Sequence, residues 1–598
     1  MSSESPGWPR LAGSAAGSSA PGEFERVFFG DGRAVTRIGD GELGGKARGL
    51  LLIRDVLDRN LDRLERSGAE VGIPAMTVIT TSFFDAFLDR NGLRETAASD
   101  IPDERMAHAF LHGDLPAELA GDLRALTEEV RQPLAVRSSG LLEDALFRPF
   151  AGVYTTKMIP NNQADPSARF QVLVEAVKYV WASAFFREAK AYRRTMRKTD
   201  DDEKMAVLIQ EVVGLRHFDR FYPDVSGVAR SYNYYPVGDA SREEGVVNLA
   251  LGLGKTIVDG GVTWAYAPSR PRTPPPFGSP QDLLRNTQRE LWAVNLGQAP
   301  AYDPVRETEY LVRADLSDAE LDGTLRFTAS TYLEGSDRIV PGTGPDGPRA
   351  LDFGPVLQLA EWPLNDIVRE LMRICEDALR SPVEIEFAAT FDPRAGRPLR
   401  VSFLQVRPLV VPETAVTVAK EEAADPATLV ATRCALGNGE DLTIRDIVWV
   451  DPAEHDPARH PAVARAAEAA NRRFLDADRP YLLIGFGRWG SSDPWLGPPV
   501  TWGQICAARA IVEASLPSLP GDLSQGSHFF HNISSFGVPY FMVRHDTGDR
   551  LDWDWIRGLP AEDLGEGLRH AELSRPLTVR VDGRSGRGII RRPGSGSE

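Results

Sequence analysis

Cysteine is nearly absent. Three occur in 598 residues, at Cys375, Cys434 and Cys506, too far apart for a disulfide framework or a Cys-x-x-Cys metal site. A reducing, cytoplasmic setting is the expectation. Positive charge is also short, with 68 Lys and Arg against 85 Asp and Glu, a net charge of -17. That field repels nucleic acid and anionic membrane, so neither is an expected partner, although a local basic pocket for phosphates remains compatible with it. No run approaches the ~18 apolar residues of a membrane span. The first 22 residues lack a basic segment followed by an apolar one, so they do not read as a secretory signal. Their Ser, Gly, Ala and Pro content reads as a disordered leader. The GxxxxGK[ST] phosphate loop is missing as well.

What is there is an ordinary globular composition, 42% hydrophobic and 26% charged, in a chain long enough for two to four domains. Glycines at 44 and 45 open a helical run, GGKARGLLLIRDVL. Met76 to Thr80 reads as a strand, with Ser82 capping the next helix. Leu134 to Arg137 reads as a short buried strand followed by a Ser-Ser-Gly turn, and Gln171 to Lys198 as one long helix. In that helix Trp181, Phe185 and Tyr192 recur at core spacing. MAVLIQEVV, 205–213, is a continuous apolar strand. The segment 268–282 carries too much proline for regular structure. Residues 383–409 read as two strands joined by a turn at 393–396.

A site for ATP must hold phosphates, divalent ions and an adenine, which calls for a Lys, an Arg fork, freed backbone N–H groups and hard oxygen ligands. Lys46 sits beside a glycine turn; alone it is equally a solvated lysine at a helix start. Arg137 ends an apolar strand, beside Ser138 and Ser139, and is a cleft-rim residue or a partner of Glu143 or Asp144. The Phe150-Ala151-Gly152 loop, with Thr155 and Thr156 beyond it, has the makings of a backbone cover for phosphates. Glu384 and Glu386 alternate on one strand, Gln405 and Arg407 on the next. Paired antiparallel, they gather on one surface, suiting Mg²⁺ between carboxylate and amide oxygens and an arginine on phosphate. The bland alternative is an exposed hairpin with ion pairs, which the apolar flanks Phe387, Val401, Phe403 and Leu404 disfavour.

GGKARGL, GIPAMTVIT, VRSSGLLED, FAGVYTT, WASAFFREAKAYR, MAVLIQEVV, SGVA, GLGKTIVDGG and VEIEF…LQVRPL follow one another from Leu43 to Leu409. Together they resemble the ATP-binding domain of the phosphoenolpyruvate synthase, pyruvate phosphate dikinase and rifampicin phosphotransferase family. The resemblance implies an α+β, α/β multidomain chain with a two-lobed ATP-grasp-like fold, its lobes at 23–204 and 205–413 with an insertion near 268–350. A linker at 414–428, an α/β domain at 429–590 and a tail at 591–598 complete the division. The resemblance implies ATP and Mg²⁺ as cofactors, phosphates on Lys46, Arg137 and Arg407, and the Gly152 loop closing over them. Gln210 to Val213 would form the adenine hinge, and Glu386 and Gln405 would bind the metal, with Glu384 as the further acidic position of the set.

Two positions depart from the family. Glu384 stands where an Asp is usual, and Lys255 stands where the GLGE pattern has its glutamate. Lys255 either adds a phosphate contact or marks an altered metal arrangement. No phosphohistidine motif is present, and about 190 residues after Pro408 are too few for a ~250-residue barrel, so a standard phosphoenolpyruvate synthase is not expected of this chain by itself. In the C-terminal part Gly485, Gly487 and Gly490 surround Arg488, with Ser491, Ser492 and Asp493 next. This is a loop for phosphate or carboxylate, or a turn packed by Trp489 and Trp495. His528 and His531 read as structural, or as a shared metal or phosphoacceptor pair, and Asp493 or a histidine as a general base. The expected function is phosphate transfer from Mg-ATP to an unidentified small molecule or protein. The alternatives are a non-catalytic ATP-binding regulator or scaffold, and the ATP-binding subunit of a split dikinase.

Overall fold

The computed structural model describes residues 22–23, 35–60, 64, 69–143, 153–195, 199, 203–234, 236, 240–273, 279–392, 399–409, 416–491, 493–517, 533 and 537–594. The expected leader, apart from Gly22, the Gly152 loop, Ser492, His528 and His531 lie outside them. The chain divides into two compact units. One is built from Met1–Asn233, Val237–Ile257 and Val262–Leu409, the other from Val410–Glu598 with Tyr234–Pro236 and Val258–Gly261. Mixed sheets and helices make up both. No helix among the described residues is long and apolar enough to cross a membrane.

In the first unit, a six-stranded sheet carries Leu134–Gly140 between Met205–Glu211 and Thr156–Ile159. Met205–Glu211 was expected to open the second lobe. It is instead an interior strand of this first sheet, paired on its other side with Met76–Ile79. An unbroken apolar strand needs both faces and both edges covered, and only an interior position provides that. The strand holding Arg137 runs three residues further than expected. Ser138, Ser139 and Gly140 continue the ladder opposite Val207, Ala206 and Met205. The expected long helix is two, Pro166–Ser183 and Arg187–Thr195. Trp181, Phe185 and Tyr192 are buried as their spacing predicts, with Phe185 stacked on Phe84. The helix after Met76–Ile79 has Thr80 rather than Ser82 at its N-cap position, with no side-chain capping bond.

A second six-stranded sheet of the same unit pairs Val383–Phe391 with Val225–Arg230 on one side and Leu399–Pro408 on the other. Its register sets Glu384 opposite Arg407 and Glu386 opposite Gln405. The Gly44–Arg59 helix buries Leu50, Ile53, Val56 and Leu57. Gly44 has φ +74°, and a Cβ there would sit 1.7 Å from the carbonyl oxygen of Ser139. Only glycine lets the helix start this close to the strand.

The second unit has a five-stranded antiparallel sheet and a seven-stranded mixed sheet. The centre of the latter is four parallel strands, Asp446–Val450, Tyr481–Phe486, Ala508–Ala514 and Tyr540–Val543. The helix His460–Asp476 makes the crossover between the first two. Residues 414–428, expected as a linker, include the helix Lys420–Ala424, whose Glu422 pairs with Arg580 of the second unit at 2.7 Å.

Candidate functional site

Arg137 leaves the first sheet and reaches the second. Its Nη1 donates to Gln210 Oε1 and to the carbonyl of Leu404, both at 3.2 Å, and its Nη2 donates to Gln405 Oε1 at 2.9 Å. Glu386 lies 3.8 Å from the same guanidinium and 3.7 Å from that of Arg407. Neither distance is a hydrogen bond, so the carboxylate is held in the field of two cations. Arg137, Gln210, Glu384, Glu386, Gln405 and Arg407 therefore form one network, assembled from segments more than 260 residues apart in sequence.

Glu384 differs from the expectation of a metal ligand. Arg230 donates through Nε and pairs through Nη2 with its Oε2, both at 2.7 Å, while Arg407 lies 3.4 Å from Oε1. All three groups are buried, where a charge must be paired to persist. Glu384 thus serves as the anchor between two guanidinium groups, and Glu386, the more exposed acid, is the carboxylate open to a cation. Arg230 was not singled out from the sequence. The only signal for it is its alternation with Val228 on a strand, and nothing in one sequence shows that this strand pairs with 383–391.

Lys46 joins a neighbouring cluster. Its ammonium donates to Ser138 Oγ at 3.0 Å and forms an ion pair with Glu143, which also accepts from the Gly140 N–H. Ser138 and Arg137 are consecutive on a strand, so their side chains leave opposite faces. Lys46 is therefore held at the strand position next to that of Arg137. A phosphate taking Lys46 must share or displace Glu143. Beneath this cluster Glu203 accepts from Tyr154 and from the Leu141 N–H, and burial pushes its carboxyl up to about 7.

Two groups have hydrogen-bonding capacity to spare. The Nε2 of Gln210 is enclosed without an acceptor. Val213, just past the end of its strand, has neither its N–H nor its C=O bonded within the chain among the described residues. A donor and a free backbone pair beside the arginine network are what the edge of a purine would bind. A Mg²⁺ ion at this network would take the Glu386 carboxylate and the Gln405 amide oxygen as its donors. Hard oxygens of this kind fit the ion. Lys255 starts a short helix and lies 3.5 Å from Glu307. A local acid thus offsets the charge that this position gains relative to the family.

Residues 41–427 match the family model described as the pyruvate phosphate dikinase, AMP/ATP-binding domain. The chain belongs to that family. It is 26% identical over 408 residues to the phosphoenolpyruvate synthase of Aeropyrum pernix, a match covering 64% of this chain and 42% of that protein. A stretch of 205 residues is 27% identical to the rifampicin phosphotransferase of Streptomyces sviceus, covering 32% of this chain and 22% of the relative. A further 204-residue match, 29% identical, is to an uncharacterized phosphotransferase of Bacillus subtilis and covers 34% and 22%. The chain therefore spans less than half the length of these curated relatives.

Proposed function

We propose that the first unit is an ATP-grasp-like domain that binds Mg-ATP and passes a phosphoryl group to an unidentified small-molecule or protein acceptor. The observation that carries this reading is the network joining Arg137 to Gln405, Glu386 and Arg407, in a chain of an AMP/ATP-binding family. In this reading Arg137 and Arg407 bind the phosphates as planar forks, and Lys46 adds a point charge once Glu143 yields it. Glu386 and Gln405 hold Mg²⁺, which neutralises charge on the transferring group. Glu384 and Arg230 fix Arg407. Gln210 and the Val213 backbone take the adenine, and Lys255 adds a further cation for the phosphates.

Named phosphotransferases among the relatives support an enzyme. The lysine at 255, in place of the family's acid, favours a second reading, in which ATP is bound and regulates without being consumed. One experiment separates them: incubation of the purified chain with ATP and Mg²⁺, with product nucleotides and any phosphorylated residue identified. The enzyme reading expects Mg²⁺-dependent consumption of ATP that Glu386→Gln reduces. Bound but unconsumed ATP, with water and with every acceptor offered, supports the second reading and defeats the first.

A further inference from the structure

The seven-stranded sheet of the second unit ends its parallel strands along one edge, where Phe486, Ala514 and Val543 are register neighbours. In open sheets with parallel strands, ligands bind beyond the carboxyl ends of those strands. Here the chain leaves Phe486 through Gly487, Arg488, Trp489 and Gly490. Gly487 and Gly490 have φ of +71° and +79°, which permits the sharp reversal. The loop is pinned residue by residue. Gly487 donates to the Ala514 carbonyl, Arg488 to that of Leu496 and Gly490 to that of Pro498. Trp489 donates its backbone N–H to Glu513 Oε1 at 2.8 Å, and its ring is fully buried.

The position of Arg488 is thus fixed, and the side chain is only 8% exposed. Yet among the described residues its guanidinium makes no hydrogen bond and has no carboxylate oxygen within 4.0 Å, and its Nε is enclosed without an acceptor. The nearby acid does not satisfy it. Glu513 is fully buried and engages its two oxygens elsewhere, with the Trp489 N–H and the Tyr540 hydroxyl. A guanidinium mostly withdrawn from water, with an enclosed Nε that has no partner, is unfavourable, and the pinned loop holds it in place. The adjoining strand ends carry Ser515 and His545, with Ser515 Oγ 2.8 Å from His545 Nδ1.

We propose that Arg488 anchors an oxyanion-binding site at this edge of the second unit, taking a phosphate or carboxylate group of a ligand, with Ser515 and His545 as the flanking polar groups. The site uses residues of this unit alone and does not rest on the ATP reading. Burial raises the Glu513 carboxyl to about 7. Below neutral pH that acid is therefore increasingly uncharged, and the positive charge of Arg488 meets less opposition.

The test uses the full chain, melted and titrated calorimetrically with inorganic phosphate or acetate at constant ionic strength against chloride. Wild type, Arg488→Met and Arg137→Met are compared, the last removing the arginine of the first unit. Expected is a rise in melting temperature of the wild type with one or both anions, retained in Arg137→Met and weakened about 10-fold or more in apparent affinity in Arg488→Met. A response to phosphate alone marks a phosphoryl-bearing ligand, and a response to acetate a carboxylate-bearing one. Indifference of the wild type to both anions overturns the proposal. So does an undiminished response in Arg488→Met, or loss of the response in Arg137→Met alone. If Arg488→Met does not fold, Arg488→Lys, which keeps the charge and loses the planar fork, decides by the same comparison, a weakened response supporting the site and an unchanged one excluding it.

Discussion

Arg230 and Glu384 are register partners on adjacent antiparallel strands, and the guanidinium closes on the carboxylate with Nε and Nη2 both 2.7 Å from one oxygen. The pair is buried and holds Glu384 at the distance that lets its other oxygen meet Arg407. Arg230 consequently fixes Arg407 through the shared carboxylate. Removing it by Arg230→Met takes a paired cation from a buried carboxylate, which lowers stability by about 3 kcal/mol. Urea unfolding of the two proteins measures this. Arg230→Lys recovers part of the loss, because a point charge replaces the fork.

Glu386 stands in the opposite position. Among the described residues it makes no close hydrogen bond, and it is the more exposed of the two acids. Glu386→Gln therefore leaves the melting temperature nearly unchanged and raises the Mg²⁺ concentration needed for half-maximal ATP consumption about 10-fold or more. A large loss of stability with unaltered Mg²⁺ dependence would assign it a structural role instead.

Gly44 is required by two separate constraints, a positive φ and the contact with the Ser139 carbonyl. Gly44→Ala is expected to destabilise the first unit by roughly 2 kcal/mol or more. It also moves the start of the helix away from the strand, and with it Lys46. ATP affinity should fall along with stability, which thermal melts with and without nucleotide will show.

Stability should depend on pH through Glu203. Its carboxyl is raised by burial to about 7 from an ordinary 4.5. A raised folded value means that the neutral form suits the fold. The contribution is full below about 4.5, diminishes as pH climbs toward 7, and above that is a constant penalty, on the order of 3 kcal/mol. Glu203→Gln removes the penalty, since an amide can accept from Leu141 and donate to the Tyr154 oxygen. The variant is expected to be more stable than wild type at pH 8 and little different at pH 5, by denaturant unfolding at each pH.

Much of this was legible in the sequence, and the reason differs from element to element. The alternation of Glu384 with Glu386 and of Gln405 with Arg407 fixes which residues share a face, and the few residues separating the two segments make antiparallel pairing the natural outcome. Local pattern was sufficient there. Local pattern could not show that Met205–Glu211 lies inside the first sheet, because its partners at 76–79 and 134–140 are distant in sequence. For the same reason Glu384 read as a metal ligand: the arginine that occupies it comes from 154 residues away. Ser138 and Ser139 read as a turn because such residues favour turns. Tertiary contacts with Lys46 and Leu43 hold them in the strand instead.

The arginine network between the two sheets of the first unit is the centre of the account, and calorimetric titration of the full chain with ATP, with and without Mg²⁺, measures it most directly. The prediction is a saturable, Mg²⁺-enhanced heat of binding in the wild type that weakens at least ~10-fold in Arg137→Met, with that variant still folded. No heat with ATP and Mg²⁺, or an affinity that Arg137→Met leaves untouched, would contradict it.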